Sequence, residues 1–315
     1  MFIFQQLNYP RSALAKAVQY LKEHICQKKL YRSAKVVKFV FLCGGNQENG
    51  EISERRKAIL RFVEKTLPNI RIFIAEAVFD VLMKEGHKEN VLDIEEELTK
   101  FADEIIILLE SNSAFCELGA FSSKSLRKKI IVINDEKYKN KDSFINIGPI
   151  KAIKEKAGDK KIIYYKMTEA STSRVDSIGD TFFNLEETLK SISPVHPEII
   201  TLDICNPNKS FEKDTVRFIH DLIFFTGPIM YRELIKIMEI LYGDNDYSRL
   251  RECLGLLTAL NLISLKEPSD RKGCYYFSKV SKTLLDYRFD TNIIIASFRN
   301  AYQRYDLSRL SYAKN

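Results

Sequence analysis

The run Ile105-Ile106-Ile107-Leu108-Leu109 constrains the fold most. Five consecutive apolar residues leave no face for water. The segment therefore predicts a strand buried on both sides, as in the middle of a parallel sheet. Its neighbours repeat the pattern. Residues 36–43 read as a buried strand that runs into Gly44-Gly45, residues 70–75 as a short strand, 129–134 as another apolar strand and 161–165 as a fifth. Apolar periodicity between them predicts helices over 53–66, 76–84, 91–101 and 114–124. Ser53 is a suitable N-cap for the first of these, and Glu95-Glu96-Glu97 an acidic first turn for the third. Strands alternating with helices predict an α/β fold with an open, flavodoxin- or Rossmann-like parallel sheet.

The length of 315 residues leaves room for about two domains. Before the sheet, residues 11–30 carry Leu14, Val18, Leu21 and Ile25 at helical spacing. After about residue 170 the texture changes. A Ser/Thr-rich stretch at 171–177 and the prolines of 193–197 and 206–208 flank a helical segment at 180–192, which predicts a connector over 171–210. Helices are then expected at 211–225, 229–242 and 246–260. A β-hairpin from 262–266 to 274–278 with a basic tip follows, and a last helix at 279–289. Three helices and a hairpin are the winged-helix order, a module that binds nucleic acid or, in other cases, protein alone. The expected division is an N-terminal helix (1–35), an α/β domain (36–170), the connector (171–210), a winged-helix-like domain (211–290) and a basic, Tyr-rich tail (291–315).

Charge sharpens the last assignment. The chain carries +7 overall, and residues 271–315 hold nine basic against three acidic side chains, so +6 lies in the last 45 residues. Six of the fifteen tyrosines fall there too. Cations interleaved with aromatics suit phosphates and stacking bases, and Arg271, Lys272, Lys279, Arg299 and Arg304 are the expected nucleic-acid or partner contacts. A solvated tail with a few packed tyrosines fits the same pattern. With 45% hydrophobic residues the chain is not intrinsically disordered. No apolar run reaches the length of a membrane span, and the start MFIFQQLNYPRS lacks a basic n-region, so neither membrane insertion nor secretion is expected. Six scattered cysteines and four histidines form no metal-ligand spacing. A reduced, cytoplasmic protein without metal or cofactor is expected.

In open α/β sheets ligands bind beyond the carboxyl ends of the strands. Two loops leave buried strands at that edge. Cys43-Gly44-Gly45-Asn46 lets backbone come close to a ligand but is not a P-loop, since no G-K-[ST] follows. The second loop runs from Glu110 through Ser111, Ser113 and Phe115 to Glu117-Leu118-Gly119-Ala120-Phe121. Hydroxyls and free N–H groups at such a helix start favour an anion or phosphate. Glu117, one turn in, is placed to act as nucleophile or as a clamp for sugar hydroxyls; interaction with the helix N-terminus alone, as in many first-turn acids, is the alternative.

The strand ending in Glu110, the small-residue loop and Ser113-Ala114-Phe115-Cys116-Glu117-Leu118-Gly119-Ala120 together resemble the nucleoside 2-deoxyribosyltransferase family. The glycine-rich end of its first strand is similar to Phe41-Leu42-Cys43-Gly44-Gly45. FLCGG, ELGAFS and Ser143-Phe144-Ile145-Asn146-Ile147-Gly148-Pro149, in that order, resemble more closely the deoxyribosyltransferase-like effectors of bacterial retron antiphage systems. The resemblance covers about residues 36–155 in motifs.

It implies cleavage of an N-glycosidic bond. The family's motif glutamate, matched by Glu117, attacks the anomeric carbon, the base leaves, and water or another base takes the glycosyl group. Cys43, Gly44, Gly45, Asn46, Ser111, Ser113 and Phe115 would line the sugar and phosphate region, and Arg55 or Arg56 could pair with a phosphate; two solvated helix arginines are the alternative. This chain departs from the family after its first strand, where Asn46 replaces the usual proline. It departs again after its second, where only Glu76, with Asp80 one turn on, stands for the usual acids. Glu76 is either an acid or clamp, or an exposed helix-start residue. A thin acid supply favours a leaving group that needs no proton, hence NAD, with purine nucleotides or nucleosides second. Asn146 is either a turn residue or, by analogy with the family, a contact to a neighbouring subunit's site in an oligomer. The resemblance further implies an antiphage toxin held by a retron reverse transcriptase and its msDNA. A nucleotide-sensing, DNA-binding regulator without catalysis is the competing expectation, and a scaffold whose winged helix binds protein alone is a third.

Overall fold

The computed structural model describes residues 2–32, 37–84, 91–168, 176–191, 197–209, 212–243, 246–267 and 273–311. The chain forms two compact units: Val37–Asp80 with His87–Ser193, and Met1–Val36 with Val81–Gly86 and Pro194–Asn315. The helices α1 (Phe2–Asn8) and α2 (Ala13–Cys26) and the short strand β1 (Leu30–Tyr31) belong to the second of these.

The first unit follows the expected alternation. In order come β2 (Lys38–Cys43), α3 (Glu54–Thr66), β3 (Ile70–Phe73), α4 (Ala75–Lys84, of which the part through Asp80 belongs to this unit), α5 (Val91–Phe101), β4 (Glu104–Leu108) and α6 (Asn112–Phe121). They are followed by β5 (Ile130–Asp135), α7 (Lys151–Ala157), β6 (Ile162–Tyr165) and α8 (Phe182–Lys190). The five strands form one parallel sheet in the order β3-β2-β4-β5-β6. Within the unit this is the order second, first, third, fourth, fifth, which is that of flavodoxin-type sheets. Its switch point lies between β2 and β4.

Residues two apart along each central strand share a face. Val40, Leu42, Ile106, Leu108, Ile131 and Ile133 pack with Ile59 and Val63 of α3 and Leu185 and Leu189 of α8. The other face is aromatic: Phe41 stacks on Phe73 at 5.2 Å between ring centres, and Phe39 on Phe101 at 4.8 Å. Burial of each such side chain stabilises by about 1.5–3 kcal/mol. Ser53 caps α3 by accepting from Arg56 N at 3.1 Å, and Ser111 caps α6 by accepting from Ala114 N at 3.3 Å.

In the second unit α9 (Lys213–Thr226), β7 (Ile229–Met230), α10 (Tyr231–Tyr242), α11 (Arg249–Ala259), β8 (Ile263–Lys266) and β9 (Tyr275–Ser278) form three helices with an antiparallel sheet ordered β7-β9-β8. The rest departs from expectation. Residues 279–289 are not a helix. They run irregularly to β10 (Asp286–Tyr287), which pairs with β1. The cause is a buried polar network. Asp221 accepts from Leu284 N at 2.7 Å and from Leu285 N at 2.9 Å, and its other partner His220 contacts Ser278 Oγ at 3.0 Å. These bonds satisfy the backbone amides without a helix, and both adjacent leucines are buried.

Much of the expected tail is structured as well. Residues 291–315 contain α12 (Asn292–Tyr305), which packs on α2 and α9 through Ile294, Phe298, Ala301 and Tyr302, and the short α13 (Leu307–Leu310). Arg309 is fully buried, donating to Glu233 at 2.7 and 3.0 Å between the rings of Tyr275 and Tyr302. Part of the C-terminal charge is therefore internal. No helix among the described residues is long and apolar enough to cross a membrane.

Candidate functional site

The carboxyl ends of β2, β3 and β4 bring four charged groups together. Arg56, at the start of α3, is 1% exposed. Its Nη1 and Nη2 donate to Glu76 Oε1 and Oε2 at 2.7 and 3.0 Å. Nη1 also donates to Asn46 Oδ1 at 2.8 Å, and Nη2 to the carbonyl of Leu42 at 3.1 Å. A single guanidinium thus fixes the end of β2, the following loop and the start of α4.

The glycines make room for these side chains. A Cβ on Gly44 would lie 2.9 Å from Arg56 Cδ and 3.1 Å from Glu110 Oε1, and one on Gly45 would meet Glu110 and Ser111 at 3.2 Å. Gly45 N instead donates to Glu110 Oε1 at 3.0 Å, and Ser53 Oγ donates to the same oxygen at 2.5 Å. The close approach that demands glycine is made by the protein's own groups.

Glu117 faces this cluster from α6. It is half-buried, and its Oε2 is buried without a hydrogen-bond partner. Burial pushes its carboxyl up to about 7; repulsion from Glu95 and Glu76 adds to this, while Arg56 opposes it. Glu95, on α5, is raised by burial and by Glu76. Glu76 goes the other way: burial raises it, but the Arg56 hydrogen bonds and charge outweigh that and hold it below the ordinary range. Cys43 is buried, and desolvation followed by the Glu117 charge keeps its thiol protonated, so it is an inert wall.

A separate cavity of about 440 Å³ opens at the ends of β4, β5 and β6. Ser111, Asn112 and Phe115 of α6 line it, as do Asp135, Lys137 and Tyr138 beyond β5 and Met167 and Thr168 beyond β6. Arg55 and Glu110 line it as an ion pair at 3.2 Å. Arg55 is further held by Asp176, at 2.9 and 2.8 Å, and by the Thr168 carbonyl at 2.8 Å. Lys137 pairs with Asp135 at 2.9 Å. Burial pushes the Asp135 carboxyl up, but the bonds from Lys137 outweigh it and leave it below its ordinary value.

The residues singled out in the sequence therefore fall into groups. Glu117, Glu76, Cys43 and Asn46 surround Arg56, with Gly44 and Gly45 between that cluster and Glu110. Arg55, Ser111 and Phe115 line the cavity. Ser113 contacts Ser111, Oγ to Oγ at 2.9 Å. Asn146 donates to the carbonyls of Tyr138 and Lys141, both at 2.7 Å, and so closes the loop that carries Tyr138. Asp80 lies on α4 one turn beyond Glu76, and its side chain lies outside the described residues. Lys279, Arg299 and Arg304 are exposed on the second unit, while Arg271 and Lys272 lie outside the described residues.

Sequence reasoning missed Arg56 as the organiser, together with Glu95, Asp135, Lys137 and Tyr138. A usable signal existed for Asp135: like Glu110, it is an acid at the carboxyl end of a buried strand. No group of three or more His, Cys, Asp or Glu side chains among the described residues is arranged to hold a metal ion.

The family described as "STM3845 retron effector protein" matches residues 52–265 of this chain. A protein of Escherichia coli described as "Retron Ec73 putative ribosyltransferase/DNA-binding protein" is 38% identical over 318 residues, covering 98% of this chain and 99% of its own. A second Escherichia coli protein, "Retron Ec86 putative ribosyltransferase/DNA-binding protein", is 32% identical over 224 residues, 70% of each chain.

Proposed function

The chain belongs to the STM3845 family of retron effectors, and we propose that it cleaves the N-glycosidic bond of a nucleotide, NAD foremost, with Glu117 as covalent nucleophile. One observation carries this reading: a half-buried carboxylate with an unpartnered oxygen, set among Arg56, Glu76 and Glu95 at the sheet's switch point. The "ribosyltransferase" in the names of the two Escherichia coli relatives supports the reaction class.

Three carboxyl groups against one guanidinium favour a cation. An oxocarbenium-like transition state is one, and so is the pyridinium of NAD. A bound cation also draws the Glu117 proton off, giving the nucleophile its active form. Glu117 Oε bonds to C1′ as the C1′–N bond breaks. The bonding pair goes to nitrogen, and the pyridinium leaves as neutral nicotinamide. Water then bonds to C1′ and the ester C1′–O bond breaks. This restores the Glu117 carboxylate, and the water's proton passes to Glu95 or to solvent. Glu76, kept ionised by Arg56, accepts hydrogen bonds from sugar hydroxyls; it is not the proton donor.

Purine nucleotides or nucleosides are the second reading. They need a protonated leaving base, and Glu95, whose carboxyl is raised, is the group on hand. Transfer of the glycosyl group to a base in place of water belongs to the same chemistry.

The second unit holds the effector to its retron. Its three helices and β7-β9-β8 sheet act as a winged-helix-like module, and exposed Lys279, Arg299 and Arg304 contact the reverse transcriptase with its msDNA in an oligomeric, cytoplasmic antiphage complex. The "DNA-binding" in the relatives' names supports this part, and it also fits a non-catalytic regulator. The test is mass spectrometry of purified protein incubated with NAD and with purine nucleotides. Nicotinamide and ADP-ribose are expected from the wild type and not from Glu117→Gln. Release that survives in Glu117→Gln rejects the nucleophile. No release from any of these substrates, with nucleotide binding intact, favours the regulator.

A further inference from the structure

The cavity beyond β4, β5 and β6 is unused by the chemistry at Glu117. Ser111, Asn112 and Phe115 line it, whereas Glu117 does not. Phe115 and Glu117 are two residues apart, about 200° around the helix, so they leave α6 in different directions.

The lining is specific in character. Its four charges form two pairs, Arg55 with Glu110 and Lys137 with Asp135, and Arg55 is also paired with buried Asp176, so the lining carries no excess positive charge. Such a lining gives a phosphate no net attraction. Phe115, Tyr138 and Met167 add two aromatic rings and a thioether, which suit a flat aromatic ligand. Asp135 is 3% exposed, is held ionised by Lys137, and has acceptor capacity beyond the bonds it makes. An ionised carboxylate accepts and never donates. It therefore favours a base that presents an N–H donor there, such as the exocyclic amine of adenine. The volume of about 440 Å³ lies within the usual range for small-molecule sites.

We propose that this cavity binds an adenine-type base, the distal half of a dinucleotide whose other half is cleaved at Glu117. This rests on the glycosidase reading above for the role of the site, though not for the binding itself. The first turn of α6 separates the two places, so a molecule that fills both crosses a helix N-terminus. Backbone N–H groups there favour the negative diphosphate of a dinucleotide.

Calorimetric titration of full-length Glu117→Gln protein, which cannot turn its ligand over, tests this with AMP and IMP. IMP carries a carbonyl where AMP carries the amine. AMP is expected to bind at least about tenfold tighter than IMP, a difference of about 1.4 kcal/mol. Adding Phe115→Ala should weaken AMP by at least about tenfold. Adding Asp135→Asn should bring AMP and IMP within about threefold of each other. Thermal melting checks that each variant folds, and Tyr138→Ala replaces any that does not. Equal affinity for AMP and IMP, or an AMP affinity that ignores Phe115, overturns the proposal.

Turnover by otherwise wild-type protein separates the two ideas. Phe115→Ala should raise KM for NAD by at least about tenfold and leave nicotinamide mononucleotide, which lacks the second base, unaltered. Glu117-dependent NAD cleavage that ignores Phe115 rejects the base site and keeps the glycosidase. Amine-selective AMP binding without NAD cleavage does the reverse.

Discussion

Arg56 grips Glu76 through two parallel hydrogen bonds of 2.7 and 3.0 Å, and the two residues differ sharply in exposure: the Arg56 side chain is 1% exposed and that of Glu76 38%. The buried partner is the cation, and its remaining bonds go to the end of β2 and to Asn46. Arg56→Met should therefore loosen the strand-end loops while Glu76 finds water. Breaking a fully buried pair costs about 3–5 kcal/mol, and the exposure of Glu76 reduces this to about 2 kcal/mol. Urea denaturation measures it. Because Arg56 opposes the upward shift of Glu117, the same variant should move the pH midpoint of activity higher, which a purely structural arginine would not do.

Glu117 gives a pH profile with a definite sign. Its carboxyl titrates near 7, above the ordinary 4.5. Nucleophilic attack needs the carboxylate, so kcat/KM should rise with pH through about 7. Stability runs the opposite way. The folded state binds the proton more tightly than the unfolded chain, so this group's favourable contribution is complete below about 4.5 and is lost as pH rises through about 7. Glu117→Gln should accordingly raise the melting temperature at pH 8 and have little effect at pH 4. Activity lost with stability gained is the expected signature of a functional carboxylate. An unchanged melting temperature at pH 8 would contradict it.

The second unit depends on Arg309. Its guanidinium is fully buried, pairs with fully buried Glu233, and lies 4.7 Å from the ring centres of Tyr275 and Tyr302. Arg309→Ala should destabilise this unit by about 3–5 kcal/mol, because Glu233 is left charged and dry. Arg309→Met with Glu233→Met should recover part of the loss, since it removes the buried Glu233 charge; Asp306, which also pairs with Arg309 at 3.1 Å, still loses that partner. Chemical denaturation followed by tyrosine fluorescence measures both.

The parallel sheet was legible because β2, β4 and β5 are nearly continuous apolar runs, and only burial on both faces explains such runs. The helix carrying Glu117 was legible from its small-residue start. The cluster around it was legible only in part: Glu76, Cys43 and Asn46 were, but the buried role of Arg56 and the presence of Glu95 were not. Glu95 sits among three consecutive glutamates, and no local pattern ties it to Glu117. Arg56 and Arg55 are sequence neighbours of the same type, yet one is sealed beneath the glycine loop and the other lines the cavity. At the C-terminus, the apolar spacing of Ile294, Phe298 and Ala301 that makes α12 is interleaved with basic and polar residues, which give the segment the look of a solvated tail. The 279–289 segment misled because its amides find Asp221, more than sixty residues away, and no local pattern records that partner.

With Arg309 internal, the basic side chains proposed to meet a polyanion narrow to exposed ones such as Lys279, Arg299 and Arg304. If they contact phosphates, each releases counterions on binding. The slope of log K against log salt should then fall by about 0.7 per lost contact on single-stranded nucleic acid, or about 0.9 on duplex DNA. Replacing all three by Ala should thus flatten the slope by about 2 units or more while thermal melting and turnover at Glu117 persist. Fluorescence anisotropy with a labelled oligonucleotide, run from low to moderate salt, measures the slope directly. A wild-type affinity that does not vary with salt would assign this unit to protein contacts alone.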